Sequence, residues 1–192
     1  SALSSAQIGV LSTRQIGWLE SVQLSGLLSS QLSVFSAGQL QAIETRDVNK
    51  LGTGQVWGLT GVQVSALTTG QVSVLETEQL RALQSGQVRA LEILDLGVLQ
   101  SAQVVSFGTG QVSALQVQQI AGLKMEQMVM LETAQLSALD TLQVGGILST
   151  QLNALQSTQV LALTTTQIRG LVVGQVSGLD SARVVALGTA QV

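Results

Sequence analysis

The sequence predicts an α-solenoid, a superhelix of short helices with one helix per eight-residue repeat. Three observations carry that expectation. From Leu3 onward the phrase Leu-x-Thr/Ser-x-Gln-Val-x-Ala recurs twenty-four times in 192 residues without insertion or deletion, the last copy stopping two residues short. A fixed short period means stacked units that contact mainly their neighbours, because no unit can bury its apolar face alone. An unbroken helix is excluded: eight residues advance about 800°, so an apolar stripe would turn about 80° per repeat and encircle the helix within about five repeats. Finally, Ser/Thr-x-x-Gln in the octad is a capping box, in which a hydroxyl accepts from the third helical amide and Gln reaches back to the cap's own amide.

The octad LSTRQIGW shows each part in order, with Leu11 before the cap, Ser12 as cap, Gln15 at the third helical position and Ile16 stapled to Leu11. LTTGQVSV from Leu67 and LTTTQIRG from Leu163 repeat it. The expected unit is a helix of five or six residues from about position 3 to position 8, then a tight corner at positions 1 and 2. Where position 2 is Gly52, Glu76 or Gln84, the position 3 hydroxyl is the remaining capper and the helix start is expected to slip by one residue. Such helices are too short to survive alone, so stacking must stabilise them. Three or four octads per coil leave an interior just wide enough for the inward side chains at usual helix spacing.

Position 1 is Leu in twenty copies and otherwise Phe35, Ile43, Phe107 or Ile147; position 6 is always Val, Ile, Leu or Met. With position 8, mostly Ala, Gly or Val, these are read as the inward positions. Positions 2, 4 and 7 carry nearly all the charge and are read as outward. A β-solenoid is the competing architecture, since positions 1, 3 and 5 alternate and Thr and Gln could stack as ladders. Abundant Leu, Ala and Gln, and the scarcity of Asn, Asp and Gly corners, favour helix.

Residues 1–192 read as one continuous array with no linker, and as a window of a longer one. No Cys and no His are present, which removes thiolate chemistry and the commonest general base and metal ligand. No cofactor, metal site or catalytic set is expected. A net charge of −3 with eight scattered Lys and Arg offers no phosphate-neutralising stripe, so nucleic acid is not an expected partner. The charge-free stretches carry a Gln every eighth residue, so no membrane span is expected either.

The recurrent Gln, as at Gln15, Gln71, Gln135 and Gln167, is read as structural, serving the capping box or bonding to the next coil. Asp47, Asp95 and Arg183 replace it. Two lone Asp residues cannot fill a calcium shell. The position 3 hydroxyls are read as capping and corner groups rather than as an ice-binding row. Apolar residues at outward positions remain as candidates for self-association: Trp57, Leu94, Leu142, Leu148, Leu161 and Val172, with Leu28, Val105, Val129, Met125 and Met130 beside them.

The phrase LTTGQVSVL at 67–75 resembles the first helix of transcription-activator-like effector repeats. Those repeats are about four times longer and contain a second helix and a base-reading loop, so their DNA binding does not carry over. Across its whole length the chain is similar to octapeptide arrays of very large repetitive bacterial proteins, as Leu67–Leu75 and Leu131–Leu139 show. That resemblance implies a surface or secreted structural role. The expected function is the rod of an extracellular filament, sheath or adhesin stalk whose partners are other copies of itself; the alternative is a repeat module binding a peptide, glycan or ice surface.

Overall fold

The computed structural model describes residues 3–189 and 191–192, and it divides into two compact units, residues 1–99 and 100–192. The described residues hold twenty-three helices of four to six residues and no strand, from Ser5–Gly9 to Ser181–Ala186. The α-solenoid is therefore the architecture, and the strand alternative is set aside.

Every helix starts at octad position 3. The residue before it takes an extended conformation, as Ser12 does at φ −68° and ψ 157°, and its side chain and that of Gln15 cap each other: Gln15 N donates to Ser12 Oγ at 3.3 Å, and Ser12 N to Gln15 Oε1 at 2.9 Å. The predicted slip does not occur. Gly52, Glu76 and Gln84 all remain N-caps without a capping side chain. Their backbone amides still donate to Gln55, Gln79 and Gln87 Oε1 at 2.6, 2.8 and 2.5 Å, so the glutamine half of the box pins the helix start whatever stands at position 2.

At the other end, the amide of position 1 donates to the carbonyl of the preceding position 6, as Leu75 to Val72 and Leu139 to Leu136, both at 3.2 Å. Position 1 is then extended, Leu83 lying at φ −61° and ψ 135°. No described residue has a positive φ, so the corner is made without the left-handed turn that glycine usually supplies.

Three octads complete a coil. In the first unit helix Gly61–Ser65 packs on Ser85–Ala90, and Thr53–Trp57 on Thr77–Ala82; in the second, Thr133–Ser137 packs on Ser157–Ala162, which packs in turn on Ser181–Ala186. Positions 1 and 6 fill the lumen. Val64, Val72, Leu80, Val88 and Leu136 are wholly buried. Between Leu40 and Leu83 the void lined by Leu, Ile and Val is only about 10 Å³, too small to hold water comfortably.

Position 8 does not belong to this core. Val10, Trp18 and Met130 are 82, 69 and 54 % exposed. Small residues recur there because the corner presses on position 3 of the preceding coil. A Cβ on Gly146 would come within 2.2 Å of Val117 Cγ1, and one on Gly58 within 2.6 Å of Ser29 Cβ. The Ala/Gly preference thus reports close approach of neighbouring coils, which sequence patterning alone cannot distinguish from burial in a lumen.

Candidate functional site

The recurring chemical element is the position 5 glutamine, which serves the capping box and at the same time bonds to the preceding coil rather than the next. Its Oε1 accepts from the position 2 amide of its own octad. Its Nε2 donates to the position 1 carbonyl three octads earlier and to a carbonyl at the end of the helix before that. Gln71 reaches Ile43 O and Leu40 O, each at 2.8 Å; Gln135 reaches Phe107 O at 2.6 Å and Val105 O at 3.0 Å; Gln167 reaches Leu139 O at 2.7 Å and Leu136 O at 2.8 Å. The position 1 carbonyls lie in the corner outside any helix, and the others lie at helix ends, where Leu40 O and Leu136 O also accept from the Ile43 and Leu139 amides. One side chain therefore caps a helix start and closes the coil beneath it. Gln71, Gln135 and Gln167 are buried, whereas Gln15 is exposed and makes only the bonds of its own box.

The three exceptions test this reading. Arg183 keeps the bond to the coil below, Nη2 donating to Leu155 O at 2.6 Å, but a guanidinium cannot accept. The amide it leaves unserved, Asp180 N, donates to Asn153 Oδ1 at 3.0 Å, while Asp180 caps the helix by accepting from Arg183 N at 2.8 Å. Asp95 keeps the opposite half: Glu92 N donates to its Oδ2 at 3.1 Å, and it has no amide to offer the carbonyls below. Burial pushes the Asp95 carboxyl above the usual carboxylate range, against the lowering effect of that backbone bond. Asp47 accepts from Ser21 Oγ of the preceding coil.

Hydroxyls and amides at positions 3 and 7 add bonds to the following coil. Ser5 Oγ donates to Ser30 O at 3.3 Å, Ser101 Oγ to Glu126 O at 3.0 Å, Ser137 Oγ to Ala162 O at 2.8 Å and Asn153 Nδ2 to Gly178 O at 2.7 Å. The position 3 side chains thus bond from coil to coil, and the helix caps lie at position 2.

The candidate association residues lie outside. Trp57, Leu94, Leu142, Leu148, Leu161 and Val172 are between 50 and 74 % exposed, as are Leu28 and Met130, while Val105 and Val129 are half-buried. Leu148 and Val172 cap helices Ser149–Ala154 and Val173–Ser177, which pack as consecutive turns of one helix stack, and Met125 opens the helix beneath them. Leu142 and Leu161 sit on the other two stacks of the second unit, and Trp57 and Leu94 lie in the first unit. Among the described residues no helix is long and apolar enough to cross a membrane, and no group of three acidic side chains is placed to hold a metal ion.

A model of the ALTTAQ repeat matches residues 40–77, 88–125 and 128–165, together more than half of the chain. The chain belongs to the ALTTAQ repeat family. All three matches begin at octad position 6, so the family's repeat and the structural octad keep one register. The segments 66–71 and 162–167, Ala-Leu-Thr-Thr-Gly-Gln and Ala-Leu-Thr-Thr-Thr-Gln, each differ from the ALTTAQ phrase at one residue. In structural terms the phrase is the corner, cap and clamp: Leu67 turns the chain, Thr68 caps and Gln71 ties the coil to the one below. No curated protein matches the chain.

Proposed function

We propose that this ALTTAQ repeat chain is a structural protein without catalytic activity, a coil that serves an extracellular or cell-surface filament, sheath or adhesin stalk and associates with other copies of itself. The observation that carries the reading is the glutamine clamp, which uses the same bonds at nearly every octad and so makes each added repeat equivalent to the last. Repetition of that kind suits length and regularity, whereas a catalytic site needs an exception to the pattern.

Self-association is supported by the outer surface. Apolar side chains such as Leu94, Leu142 and Leu161 are 70, 74 and 55 % exposed on a chain with a net charge of only −3, so little repulsion keeps copies apart. Burying each would contribute about 1–2 kcal/mol to association. Replacing all three by Lys is expected to leave far-ultraviolet circular dichroism unchanged, because none reaches the lumen, and to shift sedimentation from assemblies to single chains. A wild-type chain that stays monomeric at high concentration would sink the self-association reading.

A further inference from the structure

We propose that the groove at Asp47 in the first unit is a binding site for a primary alkylammonium group, such as a lysine side chain or a linear diamine. The fold supplies an internal comparison, because grooves form repeatedly where a corner faces the helix three octads later. The groove between residues 129–134 and 156–159 has a volume of about 470 Å³, and that between 161–165 and Gly188, Thr189 and Gln191 about 450 Å³. In both, the position 5 glutamine spans the gap: Gln159 Nε2 donates to Leu131 O at 2.7 Å, and Gln191 Nε2 donates to Leu163 O.

The equivalent groove over residues 17–22 measures about 760 Å³. There Asp47 stands where glutamine would, one methylene shorter and with no N–H to give. The Leu19 carbonyl, which a glutamine at 47 would reach, accepts no hydrogen bond from any described residue. Asp47 itself is 5 % exposed, accepts from Ser21 Oγ, and has the exposed Arg46 Nε 3.9 Å from its Oδ2. Carbonyl and carboxylate thus line one groove that no glutamine amide spans.

An ammonium group complements that groove: it carries three donors, no acceptor and a positive charge. Glu20 and Glu44 line the same groove, Glu44 being held by Arg46 at 2.7 Å. The alkyl chain has an apolar wall in Trp18 and Val22, which are 69 and 79 % exposed. The Trp18 ring already attracts a cation, the Arg14 guanidinium lying 5.8 Å from its centroid. A metal ion is the poorer fit, since the carboxylates do not form a three-ligand group.

The test titrates the whole chain with 1,5-diaminopentane and, in a parallel arm, with Nα-acetyl-lysine methylamide, following amide shifts of residues 17–22 and 44–50. 1-Pentanol and calcium chloride serve as neutral and metal controls. Saturable shifts with either amine and none with the controls are expected, and the tighter amine tells whether the site favours a free diamine or a lysyl side chain. Asp47→Gln restores the clamp and should weaken binding by about tenfold or more without lowering the melting temperature; Asp47→Asn, which keeps the groove open, should also weaken it by about tenfold. Lys50→Ala should bind equally or more tightly, because it removes a competing ammonium from the rim. Equal binding by Asp47→Gln, shifts with pentanol matching those with the amines, displacement by calcium, or no shift with either amine would each overturn the proposal.

Discussion

Leu136→Ala is expected to lower the unfolding free energy of the chain by about 3–4 kcal/mol, measured by urea denaturation. Leu136 is wholly buried at position 6, where its side chain fills the lumen of the second unit. Truncation removes the transfer free energy of three carbons and leaves a cavity that the corners above and below are too tightly apposed to collapse. Thr150→Ala, at an exposed outward position, should cost under about 0.5 kcal/mol. Equal costs for the two would mean that the lumen does not carry the stability of the coil.

The second large effect belongs to a polar residue. Gln135→Ala should cost about 2–4 kcal/mol, whereas Gln15→Ala, whose Oε1 serves the position 2 amide in the same way, should cost about 0.5–1 kcal/mol. The difference is the coil-to-coil half of the clamp. Removing Gln135 strands the carbonyls of Phe107 and Val105 and the amide of Glu132 in or near the buried interior, while Gln15 serves only its own exposed box at Ser12. Thermal unfolding of the two variants side by side reads the contrast directly. A Gln135→Ala penalty no larger than that of Gln15→Ala would reduce the recurrent glutamine to a cap.

Much of this was legible in the octad because the signals are local. The box at Ser12 and Gln15, the Leu at position 1 and the branched residues at position 6 act within eight residues of one another, so their chemistry can be read along the chain. What lies a full coil away was less legible. The sequence left three or four octads per coil open, and the bonds from Gln71 to Ile43 and Leu40, some thirty residues back, settle on three. Position 8 was misread for the same reason: Gly146 is small because of Val117, twenty-nine residues earlier, and nothing near Gly146 in sequence says so. The helix start at Gly52 was expected to slip because only the hydroxyl half of the box was counted, although Gln55 alone holds it in place.

The candidate site divides along the same line. Asp47, Asp95 and Arg183 stood out as breaks in the glutamine row, but the sequence could not show how each break is resolved. Arg183 is compensated by Asn153, thirty residues away, and Asp95 keeps only the cap bond from Glu92 N. Asp47 is held by Ser21 and Arg46 beside a larger groove. Trp57, Leu94, Leu142, Leu148, Leu161 and Val172 are exposed whereas Val105 and Val129 are half-buried, and the stacking of Leu148 and Val172 on successive coils is visible only once the coil is known to take three octads.

The account rests on the glutamine clamp closing the coil every three octads, and the most direct measurement is a set of pairwise distances. The chain has no native cysteine, so nitroxide labels can be placed singly at exposed position 4 sites. Ala134→Cys is paired in turn with Thr150→Cys, Thr158→Cys and Thr166→Cys, which lie two, three and four octads later. The account predicts that the 134–158 pair is the closest, with backbones about 8–10 Å apart as for packed helices, and that the other two pairs are distinctly farther. A shortest distance for 134–150 or 134–166, or a spacing near the roughly 4.8 Å of paired strands, would contradict it.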